Sequence, residues 1–170
     1  MRWNGRAYEA VKARLERREA ADLYHAALEV RRGEDVHVIE QTPVPGGNGE
    51  RRGVVAVGPV GARWAGRFRI FRYEVRAWRG GSIPDIAEAV GGPVRLDGPP
   101  DLAERVLAAV RRVPTPTWGR DELDTGEMWN SNAVISWTLR EAGVDAGAIE
   151  PPPGGRAPGW RAGVVVASRG

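Results

Sequence analysis

A chain of 170 residues, 42% hydrophobic and 28% charged, is long enough for one domain with a sizeable core, and these proportions exclude a disordered chain. No run approaches the ~18 apolar residues of a membrane span, the N-terminus lacks a signal-peptide stretch, and the expected setting is a bacterial cytoplasm. Zero cysteines exclude disulfides, thiolate metal sites and cysteine nucleophiles. The 25 basic residues against 22 acidic leave a net charge of +3, so the pI near 9.9 reflects arginine rather than a strongly basic surface, and nucleic acid is disfavoured as a partner.

Residues 4–20 are rich in Arg, Glu and Ala, and Ala7, Tyr8, Val11 and Leu15 make a narrow stripe, which predicts a packing helix. Two β-type runs come next, residues 22–30 and 35–43, around Arg31-Arg32-Gly33-Glu34, and together they predict a hairpin. With a four-residue loop Val30 faces Asp35, Ala27 faces Val38, and His25 faces Glu40 on one side of the sheet. A slip of one residue pairs His25 with Gln41 instead. Either neighbour can fix the tautomer of the imidazole. His37 points to the other face and reads as structural.

Residues 45–50 form a turn-rich loop without phosphate-binding spacing. Residues 53–60 predict a buried strand. Residues 67–78 carry the strongest strand signal, with an alternation that breaks near Ile70-Phe71, as at a bulge. Its arginines and aromatics also suit a stacking platform for single-stranded nucleic acid. A short helix is expected over 86–90 and a longer one over 101–113, with Leu102, Val106, Ala109, Val110 and Val113 as its stripe. The connector 115–126 brings acidic and hydroxyl side chains toward Ser131, either as a substrate-contacting loop or as a solvated connection. A proline-stiffened loop from Pro151 to Trp160 and a last strand over 162–167 end the chain.

The stretch with chemical content is residues 127–142. Ser131, Val134, Ile135, Thr138 and Ala142 fall on one helical face, Asn130 is a good N-cap and Gly143 a good stop. A hydroxyl in the first turn sits where unpaired N–H groups and the helix dipole favour developing negative charge. The expected architecture is one α+β domain over 1–170, an antiparallel sheet packed on this central helix.

Three pieces, Tyr24-His25-Ala26-Ala27-Leu28, Val38-Ile39-Glu40-Gln41-Thr42-Pro43 and Asn130-Ser131-Asn132-Ala133-Val134-Ile135, resemble in order and spacing the circularly permuted papain-like fold. That is the arrangement of the lecithin retinol acyltransferase-like group and of NlpC/P60-type amidases. The family's nucleophile is a cysteine, where this chain has Ser131. The resemblance implies hydrolysis or acyl transfer on a peptide, amide or acyl ester. Ser131 would be the nucleophile, His25 the general base, and Glu40 the orienting group, or Gln41 if the register slips. Tyr24, Trp129, Asn130 and Asn132 flank the pair and are the candidates for substrate contact. No metal or other cofactor is expected. Two other readings stand beside this one: a catalytically inactive papain-like module that binds a peptide or protein partner, and nucleic-acid binding through residues 67–78.

Overall fold

The computed structural model describes residues 22–44, 53–81, 83 and 93–170; the helices expected over 4–20 and 86–90 and the loop 45–50 lie outside them. The described part is α+β. Four antiparallel strands, β2 (Leu28–Arg32), β3 (Asp35–Pro43), β4 (Val54–Pro59) and β5 (Arg72–Arg79), form a sheet in the order β2-β3-β5-β4. A two-residue strand β1 (Asp22–Leu23) pairs in parallel with β6 (Gly155–Arg156), and the helices are α1 (Leu102–Val110), α2 (Ser131–Glu141) and α3 (Trp160–Ala167).

The first hairpin is tighter than the sequence suggested. Gly33, at φ +60°, takes the first of two turn positions, as primed hairpin turns demand of that residue. The ladder therefore gains the rungs Arg32–Asp35 and Arg31–Val36, and Val30 faces His37 rather than Asp35. Asp35 anchors this register, 2.7 Å from Arg79 and 3.7 Å from Arg32. A two-residue shift preserves parity, so the faces survive while the partners change. Ala27 and His25 leave the ladder altogether, because β2 begins at Leu28.

Side chains alternate across the sheet. Val30, Ile39, Tyr73 and Val75 join the core with Leu28 and Ala77, and Gln41 shares their face opposite Val75. Glu40 lies on the reverse face, opposite Arg76, which pairs with the buried Glu74 at 2.8 Å. Thus the expected His25–Glu40 pairing does not form.

The core face receives α2, which is buried from Ser131 to Leu139. Its ends are specified locally. The Asn130 side chain accepts from Ala133 N–H at 3.2 Å. Gly143, at φ +89°, closes the other end, with Val144 N–H on Leu139 O and Gly143 N–H on Arg140 O, both at 2.9 Å.

One expected strand is replaced and another is shortened. Residues 162–167 belong to α3, because Gly163 lets this segment pack as a helix directly on α2. A Cβ on Gly163 would lie 2.1 Å from both Ala133 O and Ser136 Oγ, and Ser136 Oγ donates to Trp160 O at 2.7 Å. Burial against a helix overrides the strand preference of Val164, Val165 and Val166. Within 67–78 the strand runs from Arg72 onward; Arg63–Arg67 and Arg69–Phe71 are 3-10 turns, so Phe68 and Phe71 fall outside it. The bulge expected near Ile70 lies instead in β4, between Val54 and Ala56.

Candidate active site

Ser131 opens α2 as its first helical residue, and the residues on either side of it fix the surrounding chain. Asn130 Nδ2 and Asn132 Nδ2 both donate to Pro158 O, at 2.7 and 2.9 Å. Next to that carbonyl, Gly159 N–H donates to the Glu127 carboxylate at 2.8 Å. Gly159 is at φ +87°, and a Cβ there would meet Asn130 Oδ1 at 2.3 Å, so the loop before α3 closes directly onto the cap of α2.

His25 reaches the same place from the other side of the chain. It lies on residues 24–27, which belong to no strand. Tyr24 N–H donates to Arg156 O at 2.8 Å, and its ring lies where a Cβ of Gly155 would be. Beyond that anchor, Asn132 holds both sides of His25. Its Oδ1 accepts from Ala26 N–H at 2.7 Å, and its Nδ2 donates to Tyr24 O at 2.9 Å. The carboxamide orientation follows from these partners, one donor and two carbonyls. The result is a 3.3 Å separation between His25 Nδ1 and Ser131 Oγ.

The chemistry available is set by this geometry. In the Nε2–H tautomer, Nδ1 accepts from the serine hydroxyl. The imidazole residue is exposed, whereas Ser131 is only 6% exposed. Asn130 consumes the Ala133 N–H, and Val134 N–H bonds to Asn130 O. The N–H groups of Ser131 and Asn132 have no acceptor among the described residues and mark the positive end of α2.

The other residues singled out from sequence take different places. Asn132, 1% exposed, spends both ends of its amide on backbone, as do Asn130 and the Tyr24 peptide groups, so these hold the site together rather than face an incoming molecule. Trp129 is 2% exposed and belongs to the core. Glu40 sits on the far face of the sheet, where burial pushes its carboxyl pKa up and Arg76 partly offsets this. Gln41 is buried on the core face, and both its amide atoms lack a partner among the described residues. His37, expected as structural, packs in the sheet opposite Val30 and Arg79.

Glu127, Pro158 and Gly159 were not legible as site residues; the one cue was the pair of amides in Asn130-Ser131-Asn132, which suits backbone capture. In the connector, the carboxylates are used locally. Asp121 accepts from Thr125 N–H, Thr125 Oγ1 and Gly126 N–H, and these bonds lower its pKa. Glu122 accepts from Thr117 Oγ1 at 2.6 Å and Thr117 N–H at 2.9 Å and pairs with Arg63, which together lower its pKa to about 2. Among the described residues no three His, Asp or Glu side chains are grouped to hold a metal, and no helix is long and apolar enough to cross a membrane. No family model, curated protein or solved structure matches the chain.

Proposed function

We propose that the chain is a hydrolase or acyltransferase acting on an amide or ester bond, with a permuted papain-like arrangement in which Ser131 stands where that family has cysteine. The observation that carries this reading is the 3.3 Å approach of His25 Nδ1 to Ser131 Oγ at the start of α2. Such a distance suits a resting general base, which tightens as substrate arrives. His25 takes the hydroxyl proton while Oγ attacks the carbonyl carbon. The oxyanion is met by the N–H groups of Ser131 and Asn132. Collapse of the tetrahedral adduct expels the amine or alcohol, protonated by His25, and leaves an acyl ester on Ser131. Water or a second acceptor, deprotonated by His25, then releases the acyl group. For the third, orienting role we favour Gln41 over Glu40: it faces the core side of the sheet and carries a buried amide without a partner among the described residues.

A fluorophosphonate probe tests this directly. Labelling is expected in the native chain and absent in Ser131→Ala, with His25→Ala reduced by roughly a thousandfold. Labelling that persists in Ser131→Ala would end the proposal.

The rival is a catalytically inactive module that binds a peptide or protein. It draws on the low exposure of Ser131 and on the lack of a carboxylate bonded to His25 among the described residues. It expects no labelling of the native chain under any condition in which the fold is intact.

A further inference from the structure

Away from this site, the two 3-10 turns leave a cluster of large apolar side chains in solvent. Ile70 is 74% exposed, Trp64 66%, Phe68 50% and Phe71 44%. Four such tips within eight consecutive residues exceed the scattered single exposures of an ordinary surface. Their charge setting is one-sided. Between Glu50 and Glu74 the sequence has no carboxylate but six arginines: Arg51, Arg52, Arg63, Arg67, Arg69 and Arg72. Glu122 neutralises Arg63. The Arg67 guanidinium donates to a carbonyl, Trp64 O, and lies 6.0 Å from the centre of the Trp64 ring and 5.9 Å from that of Phe68. Arg72 likewise donates to carbonyls, those of Gly66 and Arg67. Among the described residues neither of these two cations is paired with an acid.

Part of the backbone of the turns is also paired from within. Ala65 N–H bonds to Ala62 O, Phe68 N–H to Ala65 O, Phe71 N–H to Phe68 O and Val60 N–H to Phe71 O, all at 2.8–3.1 Å. Each N–H already paired is one donor fewer left stranded at an apolar boundary.

We propose that residues 63–72 bind an anionic lipid surface, with Trp64, Phe68, Ile70 and Phe71 entering the headgroup boundary and Arg67 and Arg72 meeting lipid phosphates. Apolar tips ringed by arginine are the interfacial pattern. Single-stranded nucleic acid fits less well, because the most exposed tip, Ile70, has no π-face on which a base could stack. An acidic protein fits less well too. A stable protein interface needs about 800 Å² on each side, whereas the exposed tips fall within eight residues. A fluid anionic surface needs only the tips.

The chain has no cysteine, so Ile70→Cys carries one environment-sensitive fluorophore at a site too exposed to matter for folding. With vesicles of phosphatidylcholine and phosphatidylglycerol the fluorescence should shift to the blue and brighten, and with phosphatidylcholine alone binding should be at least tenfold weaker. In co-sedimentation of the unlabelled chain, Arg67→Gln should weaken binding about fivefold and Trp64→Ser roughly tenfold, with circular dichroism unchanged. No response to the anionic vesicles overturns the proposal, as does equal binding to both vesicle types. A fluorophore already blue-shifted in buffer and indifferent to vesicles overturns it by showing the patch covered. A response to a single-stranded oligonucleotide or an acidic protein but to neither vesicle assigns the surface to that partner instead.

Discussion

Ser131 and His25 meet across 3.3 Å, but they are held in opposite ways. Ser131 stands on a helix buried from its first residue to Leu139, capped at both ends by its own neighbours in sequence and packed between the sheet and α3. His25 stands on four residues without a ladder, steadied by Tyr24 on β6 and by one carboxamide, that of Asn132. One half of the pair is fixed by many redundant contacts and the other by few. Damage to the first should therefore appear as global instability, and damage to the second as a local loosening that spares the fold.

The harshest break on the helix side is Gly163→Val. The added Cβ would overlap Ala133 O and Ser136 Oγ at 2.1 Å, and neither backbone nor a packed hydroxyl can retreat. A loss of about 3 kcal/mol or more is expected, read as a lower urea midpoint, with the His25 segment affected only as the whole molecule unfolds. A midpoint within experimental error of the native chain would mean that α2 and α3 do not pack this closely.

On the histidine side the matching break is Asn132→Ala. It strands Ala26 N–H and the carbonyl of Tyr24, while Pro158 O keeps its bond from Asn130, and the loss is worth about 2 kcal/mol of stability. Its signature is local: the Ala26 amide should exchange much faster while the amides of α2 keep their protection. Because misplacing a catalytic group by about 1 Å costs on the order of a hundredfold, probe labelling of Ser131 should fall by about that factor. The two readouts separate two failures. Fast exchange at Ala26 with a native chain that never labels would leave Asn132 as the brace and remove the acyl chemistry.

The same contrast decides what the sequence could reveal. Signals for α2 are local, a side chain and the N–H three residues on, a glycine after the last turn, and so Asn130 and Gly143 mark its ends correctly. The position of His25 is set by Asn132, 106 residues beyond the Ala26 it holds, and by Arg156 on β6, which no hairpin rule contains. The register differs by two residues because Arg31-Arg32-Gly33-Glu34 fits a four-residue loop as well as a two-residue turn with Gly33 at its first position, and the Asp35–Arg79 pair that favours the second is not local. The terminal helix was missed because three valines outweigh a glycine in any local count. The close approach that makes Gly163 decisive is visible only once α2 is beside it. The α+β class was readable, and a two-residue shift preserves which residues share a face; which face meets α2 was not, since Ile39 lies on it and Glu40 on the reverse.

The connector offers an intermediate test, since it leads from the exposed turns to Trp129. Glu122 is held well below the ordinary carboxylate pKa of 4.5, at about 2, chiefly by Thr117. A depressed folded pKa stabilises fully above the unfolded value and is lost as pH falls through the folded one. Glu122→Gln should therefore cost about 1–2 kcal/mol at pH 7, and the gap from the native chain should narrow from pH 4.5 down toward 2. A gap that is constant over this range would mean that the carboxylate charge contributes nothing.

The smallest effects on stability separate Glu40 from Gln41, which adjoin in sequence but lie on opposite faces of β3. Glu40→Gln removes a carboxylate whose neighbour Arg76 keeps Glu74 at 2.8 Å, so stability should move by no more than about 0.5 kcal/mol and labelling by less than about twofold. Gln41→Leu removes an amide that is buried without a partner among the described residues. The fold should be unchanged or firmer by about 1 kcal/mol. Labelling should nevertheless fall roughly tenfold if that amide orients His25 during attack. Opposite signs for stability and reactivity at one buried position mark a group retained for chemistry rather than packing. A Gln41→Leu chain that is firmer and labels as fast as the native one would leave His25 oriented by Asn132 alone.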